Sequence, residues 1–353
     1  MMVLDLQNAN ERLQKSVYVG NNYQLGGTRH YRLTDGRADG CRCIDVRTGA
    51  GLEYTIVCDR GMDISLASWR GVNLPFLTEN AEAHPSFYDA DRNEWLRTFT
   101  AGLLTTCGPS YLGDPCEDLG EPLGLHGRFS TIPARQVCDE TDLEDGRICV
   151  TGKMVEAHPF GDKLVIRRTI ESSFGGSSIR ITDSIRNLGD KAAPFTMLYH
   201  VNFGFPFVDE SAQIHVSSVQ CAGYDTYSQE RMNERFHMKP PAAENLEKNY
   251  LHTFDAKKPS ACAYIWNRNI LDGLAVYLRF SPEELPYMTQ WMMENVRDYV
   301  AALEPANVPC MQRNELRKKN LLPMLQPGET REQHLEIGIL HGNENIQSSL
   351  GDE

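Results

Sequence analysis

The sequence predicts an all-β protein with few short helices. Three observations carry this: many short runs rich in β-branched and aromatic residues, a long hairpin alternating with period two on both arms, and little helical periodicity. The runs are residues 41–48 (CRCIDVRT), 54–58, 148–155, 163–171, 178–186, 261–266 and 274–280, each bounded by Gly, Asp, Asn or Pro. In the hairpin, KLVIRRTIES and SIRITDSIRN flank the glycine-containing connection FGGSS, as in a sandwich of antiparallel strands. Helical pattern is confined to residues 93–100 (NEWLRTFT) and a stretch near 231–249 that Pro240 and Pro241 interrupt.

The 353 residues, 41% of them hydrophobic, can bury a large core, and no repeat, low-complexity linker or composition break divides them. One β-domain over residues 1–353 is the simplest expectation. The polar, turn-prone segment 224–258 is expected to run over the surface, and residues 342–353 (GNENIQSSLGDE) to form a loose tail.

A formal net charge of −13 repels phosphate backbones and anionic lipid, and no basic stripe with interleaved aromatics offsets it. Neither nucleic acid nor a membrane is expected as a partner. The first twenty residues hold no apolar run of signal-peptide length, and no uninterrupted apolar stretch spans a bilayer, so a cytoplasmic location is expected. The ten cysteines, spread singly, are expected as reduced thiols. Cys41 and Cys43 share a strand face without further ligands, which fits packing better than metal.

The usual nucleotide and nucleophile motifs are missing: GxxxxGK[ST], GxGxxG after a strand, GxSxG and HExxH. Three segments instead combine an ionisable residue with Gly, Pro or Asn in apolar surroundings. In LGLHGRFS, glycines flank His126, which suits a histidine on a cleft wall or one that caps a turn. In FTMLYHVNFGFP, a strand places His200, Asn202 and Gly204 on one face and Tyr199, Val201 and Phe203 on the other. A catalytic histidine or a hydrogen-bonded His–Asn pair satisfies this pattern. In YVAALEPAN, Glu304 ends an apolar run, where burial would raise its pKa toward that of a base working near neutrality, or where it could pair with an arginine.

These segments, in this order and approximate spacing, resemble the LHGG-type histidine motif, the second histidine strand and the LEPQ-type glutamate segment of galactose mutarotases (aldose 1-epimerases). DRGMDI at 59–64, GLLTTCGPSYLGDP at 102–115 and PGETREQHLEIGIL at 327–340 resemble a less characterised aldose 1-epimerase-like branch of the DUF4432 type. The resemblance covers most of the chain and implies a galactose-mutarotase-like β-supersandwich with a sugar in a groove across one sheet. It further implies that Glu304 takes the proton of the anomeric hydroxyl, that His200 is the general acid, and that His126 hydrogen-bonds the ring-oxygen region, with no cofactor and no metal.

Arg128 stands where the familiar motif has a second glycine, a cation suited to an anionic or otherwise modified sugar. Arg60 is a candidate site arginine, or a salt-bridge partner of Asp59 or Asp63. The aspartate on the sugar hydroxyls is open among Asp59, Asp63 and Asp225. Asn202 and Asn307 are further candidate contacts, and Gln290 and Trp291 candidate groove walls, Trp291 being equally suited to a core. The expected partner is a small-molecule sugar, and a homodimer is compatible with the chain. A mutarotase is the first expectation. A non-catalytic carbohydrate-binding or sensing protein, or a sugar epimerase, lyase or hydrolase acting at another carbon, are the alternatives.

Overall fold

In the computed structural model, which describes residues 5–350, two large sheets enclose one continuous core whose buried side chains run from Leu6 to Ile339. Across the eleven-stranded sheet the neighbours are Gly27–Arg32, Arg42–Arg47, Leu52–Val57, Asp63–Trp69, Leu104–Cys107, Leu198–Phe203, Tyr299–Ala306, Tyr287–Glu294, Lys248–Thr253 and Gln220–Gly223, with Val72–Asn73 beside Asp63–Trp69. The eight-stranded sheet runs Ala212–Val216, Ala261–Asn267, Leu274–Phe280, Thr330–His341, Ser178–Asn187, Lys163–Ser173, Arg147–Ala157 and Arg135–Asp139. This is an all-β sandwich of two antiparallel sheets, as the sequence predicts. Each strand run read from the sequence lies within one residue of an observed strand, and the hairpin pairs Leu164 with Asn187 through Glu171 with Arg180.

Strand parity separates core from site. Tyr199, Val201 and Phe203, Ala301 and Leu303, and Met288 and Met292 all point into the core between the sheets. Their alternates His200, Glu304, Thr289 and Trp291 therefore share the outer face of the larger sheet.

Inside the sandwich, fully buried Arg168 links the two sheets. Its guanidinium donates to both carboxylate oxygens of Asp183 at 2.9 and 2.7 Å, and across the core to Asp63 Oδ1 at 2.8 Å and Thr106 Oγ1 at 2.9 Å. Tyr199 donates its hydroxyl to Asp183 at 2.8 Å, and the Phe129 ring lies 4.8 Å from the guanidinium carbon. One cation thus has two carboxylate partners and an aromatic face, the pairing that a buried charge needs.

Four expectations change. Residues 342–353 are not a loose tail as far as they are described: Asn343–Leu350 is a helix whose Ile346 and Leu350 are buried on the outer face of the smaller sheet with Tyr264, Trp266 and Ala275. Its apolar i and i+4 positions find a greasy surface that outweighs the polar composition. Segment 224–258 is not all surface, since Lys248–Thr253 is a strand of the larger sheet with Tyr250 fully buried. Helical structure in that region begins earlier than expected, as Thr226–Glu230 capped by Asp225, followed by a 3₁₀ turn at Met232–Phe236. The expected helix at 93–100 is a 3₁₀ segment, Glu94–Thr98.

Replacing Arg168 by Met should cost about 3–5 kcal/mol, because two buried carboxylates lose their counter-charge. Urea unfolding of the variant should show a correspondingly lower midpoint, and an unchanged midpoint would contradict this role for the ion cluster.

Candidate active site

The outer face of the larger sheet bears a cavity of about 290 Å³. Its floor comes from adjacent strands in register. The pairs Leu198–Ala306 and Val201–Leu303 place His200 opposite Glu304, and Glu304 in turn pairs with Thr289. Directly opposed residues on one face of a sheet meet side by side. His200 Nε2 accordingly lies 3.3 Å from Glu304 Oε1, with both side chains almost fully buried.

Loops supply the walls. His126 adopts φ 58°, a left-handed conformation costly for a residue with a Cβ, and Gly127 follows at φ 75°. A Cβ on Gly127 would come within 2.2 Å of the Tyr111 carbonyl oxygen, so glycine is required there. Backbone bonds from His126 N to Gly113 O and from Gly108 N to His126 O hold the turn. The His126 ring then stands edge-on to His200 at 5.9 Å between centroids, and 4.8 Å from Trp95. Phe99 and Trp291 each approach the His200 ring to 5.5 Å.

This apolar enclosure determines the charge states. Burial pushes His126 down to about 4, opposed by Asp114. Burial, reinforced by His126, pushes His200 down to about 3. Burial, then the charge of Glu247, raises Glu304 well above the ordinary carboxylate range. All three shifts favour the neutral form of each group, so burial disfavours charge at both members of the His200–Glu304 pair.

The other expected site residues separate into groups. Trp291 lines the cavity, whereas Gln290, one position away, has the opposite parity. Gln290 faces His252 at 3.2 Å and donates to the Arg235 carbonyl. Arg60 is a brace: its buried guanidinium donates to the carbonyls of Ser130, Ala83 and Thr98, tying together the wall loops. Asp63 belongs to the Arg168 cluster. Asn202 donates to the carbonyls of Gly102 and His200, and Asn307, just past Tyr299–Ala306, accepts from Met197 N and donates to the Phe195 carbonyl, fixing the segment that leads into Leu198–Phe203.

Arg128 is exposed and lines a separate cleft with Tyr88 and Glu156. The anionic-sugar expectation loses its basis, because the cavity lining contains no Lys or Arg among the described residues. Asp59 is engaged by Arg42, and Asp225 caps a helix. The aspartate at the cavity is instead Asp114, within the GLLTTCGPSYLGDP run, and it accepts a hydrogen bond from Tyr224 at 2.8 Å. Glu247 accepts from Trp291 Nε1 at 2.9 Å, and Asn249, Trp95, Phe99, Thr289 and Cys310 are among the other lining residues not foreseen. Strand parity alone would have nominated Thr289 in place of Gln290. No group of three His, Cys, Asp or Glu side chains among the described residues is arranged to hold a metal ion. No helix among them is long and apolar enough to cross a membrane.

The two-sheet fold is shared with known structures of galactose-mutarotase-like proteins. A protein designated a candidate aldose 1-epimerase from Klebsiella pneumoniae superposes with a TM-score of 0.87 at 20% identity, over 96% of this chain and 89% of that one. A galactose mutarotase-like protein from Clostridium acetobutylicum gives 0.65 at 15% identity, over 90% and 99% of the two chains. Galactose 1-epimerase from Lactobacillus acidophilus gives 0.57 at 12% identity, over 90% and 100%. No curated protein matches the sequence. Residues 38–339 match the family described as domain of unknown function DUF4432, and the chain belongs to that family.

Glu304 keeps a proton in the fold that the unfolded chain releases above its ordinary pKa of 4.5, so this residue makes the protein less stable as pH rises. Glu304→Gln removes the effect. Paired urea-unfolding curves should show the variant gaining on the wild type from about pH 4.5 upward, and a gap independent of pH would refute the raised proton affinity. The two histidines act in the opposite sense: their neutral forms contribute stability present above 6.5 and lost as pH falls toward about 4 and about 3.

Proposed function

We propose that this protein is an aldose 1-epimerase-type mutarotase, interconverting the anomers of a free sugar by general acid/base ring opening. The observation that carries the reading is the in-register His200–Glu304 pair, 3.3 Å apart on the floor of a cavity with aromatic walls. An anomeric carbon bears both the ring oxygen and the hydroxyl. Ring opening therefore removes one proton and delivers another at two oxygens on the same carbon, and the serving groups must be neighbours.

In the forward step Glu304, as carboxylate, accepts the hydroxyl proton while the O–H electrons form the carbonyl. The bond from the anomeric carbon to the ring oxygen breaks, and that oxygen takes a proton from His200. Rotation about the adjacent carbon–carbon bond presents the other carbonyl face, and closure runs the same transfers backward. Burial raises the proton affinity of Glu304 and lowers that of His200, and across the 3.3 Å contact a proton can pass between them as substrate enters. In this reading His126, edge-on to His200, donates to the ring-oxygen region. Trp291, Trp95 and Phe99 offer apolar faces to the pyranose and exclude water.

Anomer exchange followed by NMR across a panel of free sugars tests the reading. Glu304→Gln should lower the rate about 10²–10⁴-fold, and His200→Gln comparably. If no sugar interconverts faster with the wild type than with Glu304→Gln, the mutarotase assignment falls. Tight sugar binding without exchange would instead indicate a carbohydrate-binding protein.

A further inference from the structure

The cavity is lined by three carboxyl groups, those of Asp114, Glu247 and Glu304, and by no Lys or Arg among the described residues. Its two histidines are held neutral by burial. Asp114 and Glu247 lie exposed near the mouth, yet each is positioned: Asp114 by the Tyr224 hydroxyl and Glu247 by the indole N–H of Trp291. Neither forms an ion pair among the described residues, whereas Asp59, Asp63, Asp118 and Glu294 all have Arg or Lys partners. Glu304 is 3% exposed and accepts no hydrogen bond within the described residues beyond its contact with His200. A buried acid left in this state faces the cavity as a group awaiting a ligand.

We propose that the cavity selects a sugar bearing a protonated amine, a free hexosamine-type pyranose, whose ammonium docks against Glu247 and the face of Trp291. The proposal rests on the mutarotase reading for its chemistry but not for its binding preference. The Trp291 ring offers an electron-rich face beside the carboxylate that it positions, a combination that attracts cations. Asp114, on the His126 side of the cavity, keeps the local potential negative.

The amine would also act on the base. The charge of Glu247 adds to burial in holding the proton on Glu304. A cation seated at Glu247 cancels that contribution and eases ionisation of Glu304 as the substrate arrives, which a neutral sugar does not do. An anionic sugar would have the reverse effect and meet two unpaired carboxylates at the mouth.

The test measures binding by calorimetry and anomer exchange by NMR for glucosamine, N-acetylglucosamine, glucose and glucuronate, below the pKa of the amine. Glucosamine should bind about five- to tenfold more tightly than N-acetylglucosamine or glucose, with the advantage shrinking as salt is added. Glu247→Gln, which keeps an acceptor for Trp291 at an exposed position, should bring the ratio close to unity. Equal or weaker binding of the amine, or a preference that survives in both Glu247→Gln and Asp114→Asn, overturns the proposal. Exchange of neutral hexoses without amine preference removes this inference and leaves the mutarotase reading intact. An amine preference lost in Glu247→Gln, with no exchange of any sugar, does the opposite.

Discussion

The buried guanidinium of Arg168 is the interaction on which the rest of the architecture depends. It originates in the smaller sheet, reaches across the core to Asp63 and Thr106 in the larger one, and lies against Phe129, three residues beyond His126. Asp63 and Thr106 belong to two strands of the larger sheet, Tyr199 to the His200 strand, and Phe129 to the loop that turns at His126. Desolvating these charges is expensive, and only a fully assembled set of partners compensates for it. The cluster therefore ties the relative position of the sheets to that of His200 and His126, since a displaced sheet would leave a charge unpaired. Tyr199 and His200 make the link most direct: adjacent residues, one anchored in the ion cluster and the other facing the cavity.

Above that anchor, the site uses burial as its main chemical instrument. The same aromatic walls that would hold a pyranose lower both histidines and raise Glu304. A His–Glu pair in contact, each member favouring its neutral form, is suited to passing a proton in either direction. The cost is a folded state that disfavours the ionised form of Glu304, the familiar tension between a poised site and a stable one.

Much of the fold was legible in the sequence because strand signals are local: alternation, β-branching and flanking turn residues lie within ten positions of one another. That His126, His200 and Glu304 come together was legible for a related reason, since each sits in a short segment whose neighbours dictate its face or turn. Other site residues were not, because their partners are remote. Asp114 meets Tyr224 across 110 positions and Glu247 meets Trp291 across 44, and no local pattern encodes either contact. Arg60, Asp63, Asn202 and Asn307 stood out correctly as unusual polar residues in apolar company. Sequence could not distinguish a side chain that binds a ligand from one that ties backbone carbonyls or a buried cation, as these do. The closing helix was missed because its two anchors, Ile346 and Leu350, acquire meaning only beside Trp266 and Ala275.

The alternation of anchor and active residue along single strands also limits how such a protein can diversify. Gaining or losing one residue within Leu198–Phe203 or Tyr299–Ala306 would exchange faces, sending His200 or Glu304 into the core and a large apolar side chain into the cavity. Strand length and register are thus closed to gradual change. The groups that meet the outer parts of a ligand stand elsewhere, on the segments carrying Trp95, Asp114, Tyr224 and Glu247, where insertions and substitutions leave the pairing ladder intact. Descendants of this scaffold can acquire new ligand preferences by remodelling those rims while inheriting the acid/base floor unaltered.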